Sequence, residues 1–416
     1  MASTSVWSDL RRLTPAQRNA VIASYLGWTL DAFDFFIMVF VLKHIAEEFG
    51  TDVKSVALAV TLTLAARPIG ALFFGLMADR YGRRPVLMAD VLAYSVLEFA
   101  SGFAPSLTAL LVLRFLYGIA MGGEWGVGAS LTMETIPPRT RGIISGLLQA
   151  GYPSGYLIAS IVFGLLFPHI GWRGLFMVGA APALLVLFIR RNVEESPAFV
   201  ANRVRSDRPA FLTVAQRHLG RLVYVVLLMT AFNFFSHGTQ DLYPTFLQVQ
   251  RGFSTETVSI IAIVYNIGAI LGGLSFGWLS EHIGRRRAIV IAALLALPII
   301  PLWAYSTAPA MLALGAFLMQ VSVQGAWGII PVHLNELSPD EIRGTFPGFA
   351  YQLGNLLASV NATLQAGIAE SHGNDYALAM SLVCGVVAIA VAVLAGFGRE
   401  ARGIVFGKPE KMQPAD

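Results

Sequence analysis

Twelve apolar segments of bilayer-spanning length recur along the chain. They lie near residues 20–43, 56–78, 85–104, 107–133, 142–166 and 172–189, then near 221–248, 256–280, 287–305, 308–335, 344–368 and 376–398. About 20 mainly apolar residues make a helix that crosses a hydrocarbon core of about 30 Å. Inside that core each segment must satisfy its own backbone hydrogen bonds, so segments of this length are helices. Only 13% of the residues are charged and 56% are hydrophobic, whereas a soluble domain is about a quarter charged. The expected fold class is an all-α integral membrane protein with twelve transmembrane helices. No nucleophile–base pair, metal-ligand set or nucleic-acid patch stands out, so the reading is not an enzyme, with no metal, no cofactor and no nucleic-acid partner. The lone cysteine, Cys384, lies in an apolar run and cannot form an intrachain disulfide. The first twenty residues are polar and include Arg11, Arg12 and Arg18, unlike a cleavable signal peptide.

Loop charges give the orientation. Of the 29 Lys and Arg, only Lys43, Lys54, Arg173 and Arg251 fall on one side of the twelve-helix layout, and Arg67 and Arg114 fall inside helices. The other 23 fall on the termini and on the remaining loops, which the positive-inside rule assigns to the cytoplasm. The expected organisation is an N-terminal bundle over 1–189, a cytoplasmic linker over 190–220, and a C-terminal bundle over 221–416 that ends in a short cytoplasmic tail. The linker holds Arg190, Arg191, Arg203, Arg205, Arg208 and Arg217.

The two halves repeat. "GLMADRYGRR" at Gly75–Arg84 returns as "GWLSEHIGRR" at Gly277–Arg286, and the stretch Gly123–Gly142 returns at Gly325–Gly344. Both pairs have the same offset of 202 residues, and two motifs at one offset mean duplicated halves. Charges common to both halves belong to the shared scaffold: Asp79, Arg83, Arg84, Glu134 and Arg141, matched by Glu281, Arg285, Arg286, Glu336 and Arg343. These residues are expected to form ion-pair networks between helix ends that act as conformational locks.

Other buried charges are unrepeated. At the same offset Arg67, Arg114 and Glu124 land on alanines, Asp31 on Asn233 and Asp34 on Ser236. An ion at the bilayer centre costs at least about 2.5–3.5 kcal/mol on insertion scales, so each needs a partner, a wet cavity or a purpose. A guanidinium is always charged and its fork fits a carboxylate. Arg67 therefore reads as a substrate-carboxylate site, or as half of an internal pair with Asp34 or another acid. Asp31 and Asp34 share one helix face. Asp34 reads as a proton carrier or as the partner of Arg114, and Asp31 as a more solvated acid. Glu124, among the glycines of "GGEWG", reads as a proton carrier or a helix–helix contact, and Glu98 as structural.

"NFFSHGTQDLYPT" at Asn233–Thr245 is the other polar anomaly. Asn233, His237, Asp241 and Thr245 recur at steps of four, with Ser236 and Gln240 beside them. The stripe runs about 18 Å at 1.5 Å per residue and cannot face lipid. It reads as the wall of a cavity or as an interhelical hydrogen-bond spine. His237 and Asp241 lie one turn apart, which suits a proton-exchanging pair. Pro244 marks a bend. The amides of Asn233, Gln352 and Asn355 can meet a hydroxyl or keto oxygen.

The loop "GLMADRYGRRP" and the run "RFLYGIAMGGEWG" resemble the signatures of the major facilitator superfamily, and this resemblance covers the whole chain. It implies two six-helix bundles about a midplane site that opens alternately to each side. The seventh-helix pattern N-x-x-S-H-x-T-Q-D-x-x-x-T is similar to that of the Jen-type lactate permeases, within the sialate:proton symporter group. That resemblance implies proton-coupled symport of short monocarboxylates of the lactate and pyruvate class. It also implies a transport role for Arg67, Asn233, His237, Asp241, Gln352 and Asn355. The substrate site is then expected at Arg67, Asn233, His237, Gln352 and Asn355, and the residues themselves offer Asp34, Glu124, His237 and Asp241 for proton coupling. The chain is shorter than its fungal counterparts, which suits a bacterial inner-membrane protein, working as a monomer among lipids on a small organic anion and protons. The rival readings are a carrier of another organic acid (sialic, dicarboxylic or aromatic) and a transporter-like nutrient sensor. Sensors usually carry long cytoplasmic extensions, and this chain ends soon after its last helix.

Overall fold

The structure, a computed structural model, describes residues 6–203 and 211–407, with no strand among them. Arg205 and Arg208 of the expected linker, and Lys408 and Lys411 of the expected tail, lie outside the described residues. Nine helices among the described residues are long and apolar enough to cross a membrane. Three further crossings fall short of that measure for local reasons. The third span, Arg83–Ser101, carries Arg83, Arg84, Asp90 and Glu98. The sixth begins after Gly171, whose φ of 62° interrupts the helix Gly151–Val178, and continues as Ala183–Asn192. The eleventh is split into Phe346–Ala358 and Asn361–Ser371. The total is twelve, arranged as two six-helix bundles.

Local chemistry sets the helix ends. Thr14 opens the first span, Pro15–Glu48, with a reciprocal capping box to Gln17 at 3.3 and 3.0 Å. Asp52 caps the second span, Val53–Tyr81, and two bonds from Ser55 hold its carboxyl below the usual carboxylate range. Asp375 caps the twelfth, Tyr376–Phe397, and the bond from Gln250 lowers it in the same way.

Within each bundle glycines let helix backbones meet, as close packing in lipid requires. On the fourth span, Leu107–Thr135, a Cβ at Gly118 or Gly122 would strike the backbone of Thr63 or Arg67. In the second half Gly268 and Gly272, on the eighth span Thr255–Ile283, meet the backbones of Phe317 and Val321 on the tenth, Pro309–Leu337.

The two bundles close on each other at one face. This face holds the repeated loops and both ends of the described chain, and is termed here the basic face. The fifth span begins as Arg141–Gln149, where Gly142 and Gly146 touch the backbones of Gly277 and Gly273 on the eighth. Gly126 of the fourth span meets Gly348 of the eleventh, and Gly75 of the second meets Thr345. The far half of the eleventh span, Asn361–Ser371, instead packs mainly on its own bundle, against the seventh and twelfth spans. A cavity between the bundles thus opens toward the face opposite the basic one.

Candidate functional site

The first half of the chain concentrates charge in its interior. Arg67, mid-way along the second span, is buried, and among the described residues no carboxylate lies within hydrogen-bond distance of it. Its Nη2 lies 3.9 Å from Asp31 and 2.6 Å from the Met121 sulfur, Phe35 lies 5.5 Å beneath its Cζ, and its Nε bonds nothing. The acid beside Arg67 is thus Asp31 and not Asp34, and Asp31 is fully buried instead of solvated. Three residues of helix turn the two carboxyls apart. Asp34 points away from the second span, toward Glu98 and Gly179.

Arg114 is likewise not the partner of Asp34. It is bonded to Glu98 and, at 2.8 Å, to Ser101, and it lies over the rings of Tyr117 and Phe176. Breaking such a buried pair costs about 3–5 kcal/mol, whereas replacing both ions by apolar groups is often neutral. Arg114→Leu is therefore expected to lower the detergent melting temperature clearly, and Arg114→Leu with Glu98→Leu to restore most of the loss. Equal destabilisation by the double variant would overturn the pairing. Asp34, Glu124 and Asp90 are all fully buried, and neither oxygen of any of the three has a hydrogen-bond partner. Glu124 shares a small cavity with Ser24, Trp28, Trp125 and Gly128. Asp90 belongs to no motif, but the 202-residue offset places it on Ala292 and so marks it as another unrepeated charge.

Across the cavity, the seventh span runs as Leu219–Gln240, breaks, and resumes at Tyr243–Thr245 with a π-helical turn to Gln250. The break falls on Asp241 and Leu242, just ahead of Pro244, because proline has no N–H to donate to the carbonyl four residues back, that of Gln240. His237 joins two elements: its Nδ1 lies 3.2 Å from Asp241 and its Nε2 3.0 Å from Asn355 on the eleventh span. The side chains of His237 and Asp241 are 32% and 38% exposed although both sit between the bundles, so they line the open cavity. Gln352 is buried one turn before Asn355, with its Oε1 unbonded. Asn233 donates one amide hydrogen to its own helix, at Met229, 2.8 Å away. Tyr351, beside Gln352 on the eleventh span, lies 4.7 Å from Trp125 of the first bundle. Arg67, His237, Asp241, Asn355 and Gln352 thus share one region, whereas Asp34 lies behind it.

On the basic face the repeated charges work in matching sets. Arg83 pairs with Glu134 at 3.0 Å and Asp79 at 3.3 Å, and Arg285 with Glu336 and Glu281, each at 3.0 Å. Asp79 crosses to the other bundle and accepts from Gly344 N at 2.7 Å, Thr345 N at 3.0 Å and Thr345 Oγ1 at 2.6 Å. Glu281 crosses the opposite way and accepts from Gly142 N. Four arginines depart from the expected ion pairing. Arg84 binds the Arg190 carbonyl and Arg286 those of Ala395 and Gly396, because helix C-termini present unpaired carbonyls. Arg141 binds the carbonyls of Met133 and Ile404 and is 4.0 Å from Glu336, and Arg343 binds those of Asn335 and Ser338 and pairs with Asp340. Arg141 and Arg343 also sandwich the Phe406 ring, at 3.7 and 4.0 Å.

Two acids escaped the sequence reading. Gly82 and Gly284, with φ of 115° and 96°, begin the third and ninth spans without a side chain to cap them. Glu195 accepts from the amides of Arg83 and Arg84, and Glu400 from those of Arg285 and Arg286. A carboxylate is well placed at a helix N-terminus. The signal was available: each follows the last helix of its half.

The description of the Major Facilitator Superfamily matches residues 23–359 and 226–415. The sialic acid transporter NanX of Escherichia coli (strain K12) is 29% identical over 95% of this chain and 97% of its own length. A carboxylic acid transporter protein homolog of Saccharomyces cerevisiae (strain ATCC 204508 / S288c) is 29% identical over 92% of this chain and 68% of its own. Among solved structures, the proton:xylose symporter XylE bound to 6-bromo-6-deoxy-D-glucose superposes with a TM-score of 0.78 at 16% identity, covering 94% of this chain and 98% of that one. The last likeness concerns the fold alone.

Proposed function

Because the chain belongs to the Major Facilitator Superfamily of multi-pass membrane transporters, we propose that it is a proton-coupled symporter of short monocarboxylates, of the lactate and pyruvate class, working by alternating access. The observation that carries this reading is Arg67, a buried guanidinium whose ion-pair partner Asp31 is beyond hydrogen-bond distance at 3.9 Å, at the wall of a cavity whose other wall holds His237, Asp241, Gln352 and Asn355. The substrate carboxylate takes the guanidinium of Arg67, whose Nε is unbonded. Asn233, Gln352 and Asn355 hold the hydroxyl or keto oxygen, and the His237–Asp241 pair exchanges the proton.

Glu124 and Asp34 are proton stores in the first half, because a buried carboxylate with neither cation nor donor is too costly to keep ionised. An anion moving alone into an inside-negative compartment is opposed by about 2.3 kcal/mol per 100 mV, and a co-transported proton cancels that term. A dicarboxylate would need a second cation in the cavity, and Arg114 is already occupied by Glu98. The second reading, a carrier of a larger organic acid such as a sialic acid, draws on the Escherichia coli relative. The basic face lies in the cytoplasm with both termini, the membrane is a bacterial inner membrane, and the working unit is the monomer.

Uptake of labelled L-lactate into proteoliposomes with and without an inward proton gradient tests the reading. The wild type is expected to accumulate lactate only with the gradient. Asp241→Asn is expected to keep lactate–lactate exchange within about threefold while losing gradient-driven accumulation. Accumulation by that variant at the wild-type level would remove the pair from coupling. Absence of lactate and pyruvate uptake by folded wild type would end the short-acid assignment.

A further inference from the structure

Resting on the monocarboxylate reading, we infer that the acid carried has a planar, unsaturated body (2-oxo, enoic or aromatic) and that the rings of Tyr152 and Tyr351 select it over saturated acids of equal size. The two tyrosines come from opposite bundles, Tyr152 from the fifth span and Tyr351 from the eleventh. One run of rings joins them, since Trp28 and Trp125 lie 6.5 Å apart between the two tyrosines, and Phe35, which the Arg67 guanidinium overlies, leads through Phe36 to Tyr152. Each ring is braced from behind. Tyr152 stacks on Trp28 at 5.7 Å and meets Phe36 edge-on at 5.3 Å. Tyr351 lies 4.7 Å from Trp125 and 5.5 Å from Trp327. With Phe35 beneath the guanidinium, flat apolar surfaces flank Arg67 on several sides.

The hydroxyls of Tyr152 and Tyr351 bond to nothing among the described residues, whereas nearby Tyr25 bonds Ser154 at 3.0 Å. Two unspent phenol donors beside Arg67 add to the hold on a carboxylate. The body attached to that carboxylate then lies between rings, and π-faces prefer offset or edge-on aromatic neighbours. A hydroxyl-covered body would place its donors against phenyl rings and the Met121 thioether, where they find no partner. On the second bundle His237, Gln352 and Asn355 offer polar groups, which suits a single polar substituent at the far end of a flat molecule.

The test is uptake above protein-free vesicles of four labelled acids in two size-matched pairs: benzoate with cyclohexanecarboxylate, and pyruvate with L-lactate. Wild type is expected to move benzoate at least tenfold better than cyclohexanecarboxylate, measured as uptake at low substrate, with pyruvate ahead of lactate by a smaller factor. Tyr152→Leu is expected to bring the first ratio near one, and Tyr152→Phe, which keeps the ring, to preserve it. Equal uptake within each pair, or an unchanged ratio in Tyr152→Leu, overturns the inference and leaves the carboxylate reading standing. If no acid is moved by folded wild type, the carboxylate reading fails and takes this inference with it.

Discussion

Replacing Arg67 by alanine is expected to lower gradient-driven monocarboxylate uptake by at least about 30-fold. Truncating one partner of a buried, hydrogen-bonded charge pair costs about 2–5 kcal/mol, and the low end of that range already gives this factor. The single variant has a second effect, because Asp31, fully buried at 3.9 Å, loses its neighbouring cation. An uncompensated buried charge destabilises by about 3–5 kcal/mol, so lost uptake alone would not separate binding from folding. Arg67→Ala with Asp31→Asn removes both charges and is expected to melt near the wild type while remaining inactive. Arg67→Lys keeps the charge without the fork and is expected to retain weak uptake. A double variant that folds and still takes up the acid would refute the role of Arg67.

Asp79→Asn with Glu281→Gln is expected to move the resting population from closed to open at the basic face by about a hundredfold or more. Each carboxylate reaches across the bundle interface to amides that begin a helix of the opposite half: Asp79 to Gly344 and Thr345, Glu281 to Gly142. Hydrogen bonds to a charged group contribute about 1.5–3 kcal/mol each, and two such losses exceed the roughly 2.7 kcal/mol that a hundredfold shift requires. The only native cysteine, Cys384, is buried, so Asp241→Cys, at a side chain 38% exposed to the cavity, offers a labelling reporter, with uptake read in the variant that keeps Asp241. Its labelling from the side opposite the basic face is expected to fall in the unlocked background. Unchanged labelling together with unchanged uptake would show that these bonds do not set the resting state.

The twelve spans and the duplicated charges were legible because they follow from segment length and from one repeat offset. Partner choice was not. Asp31 and Asp34 look equivalent on one helix, and only the rotation of that helix against the second and third spans puts one beside Arg67 and the other beside Glu98. The repeat marks Arg84 and Arg286 as ion-pair members, yet they close carbonyls at the ends of other helices. A sequence shows charges and hides backbone acceptors. The His237–Asp241 contact follows from a four-residue step, but the bond from His237 to Asn355 joins helices 118 residues apart in sequence. Spacing within one segment predicts nothing about such a pair.

The glycine contacts between bundles bear on speed. Where Gly142 meets Gly277, Gly146 meets Gly273 and Gly126 meets Gly348, backbone touches backbone. A glycine has no rotamers to freeze, whereas ordering a long side chain at an interface costs up to about 2 kcal/mol. Repeated docking of these surfaces therefore needs no search among side-chain arrangements. The seam is a smooth bearing, and the few polar bonds at its rim set how long it stays shut. In such a design turnover can be tuned by single substitutions at the rim while the bearing itself stays untouched.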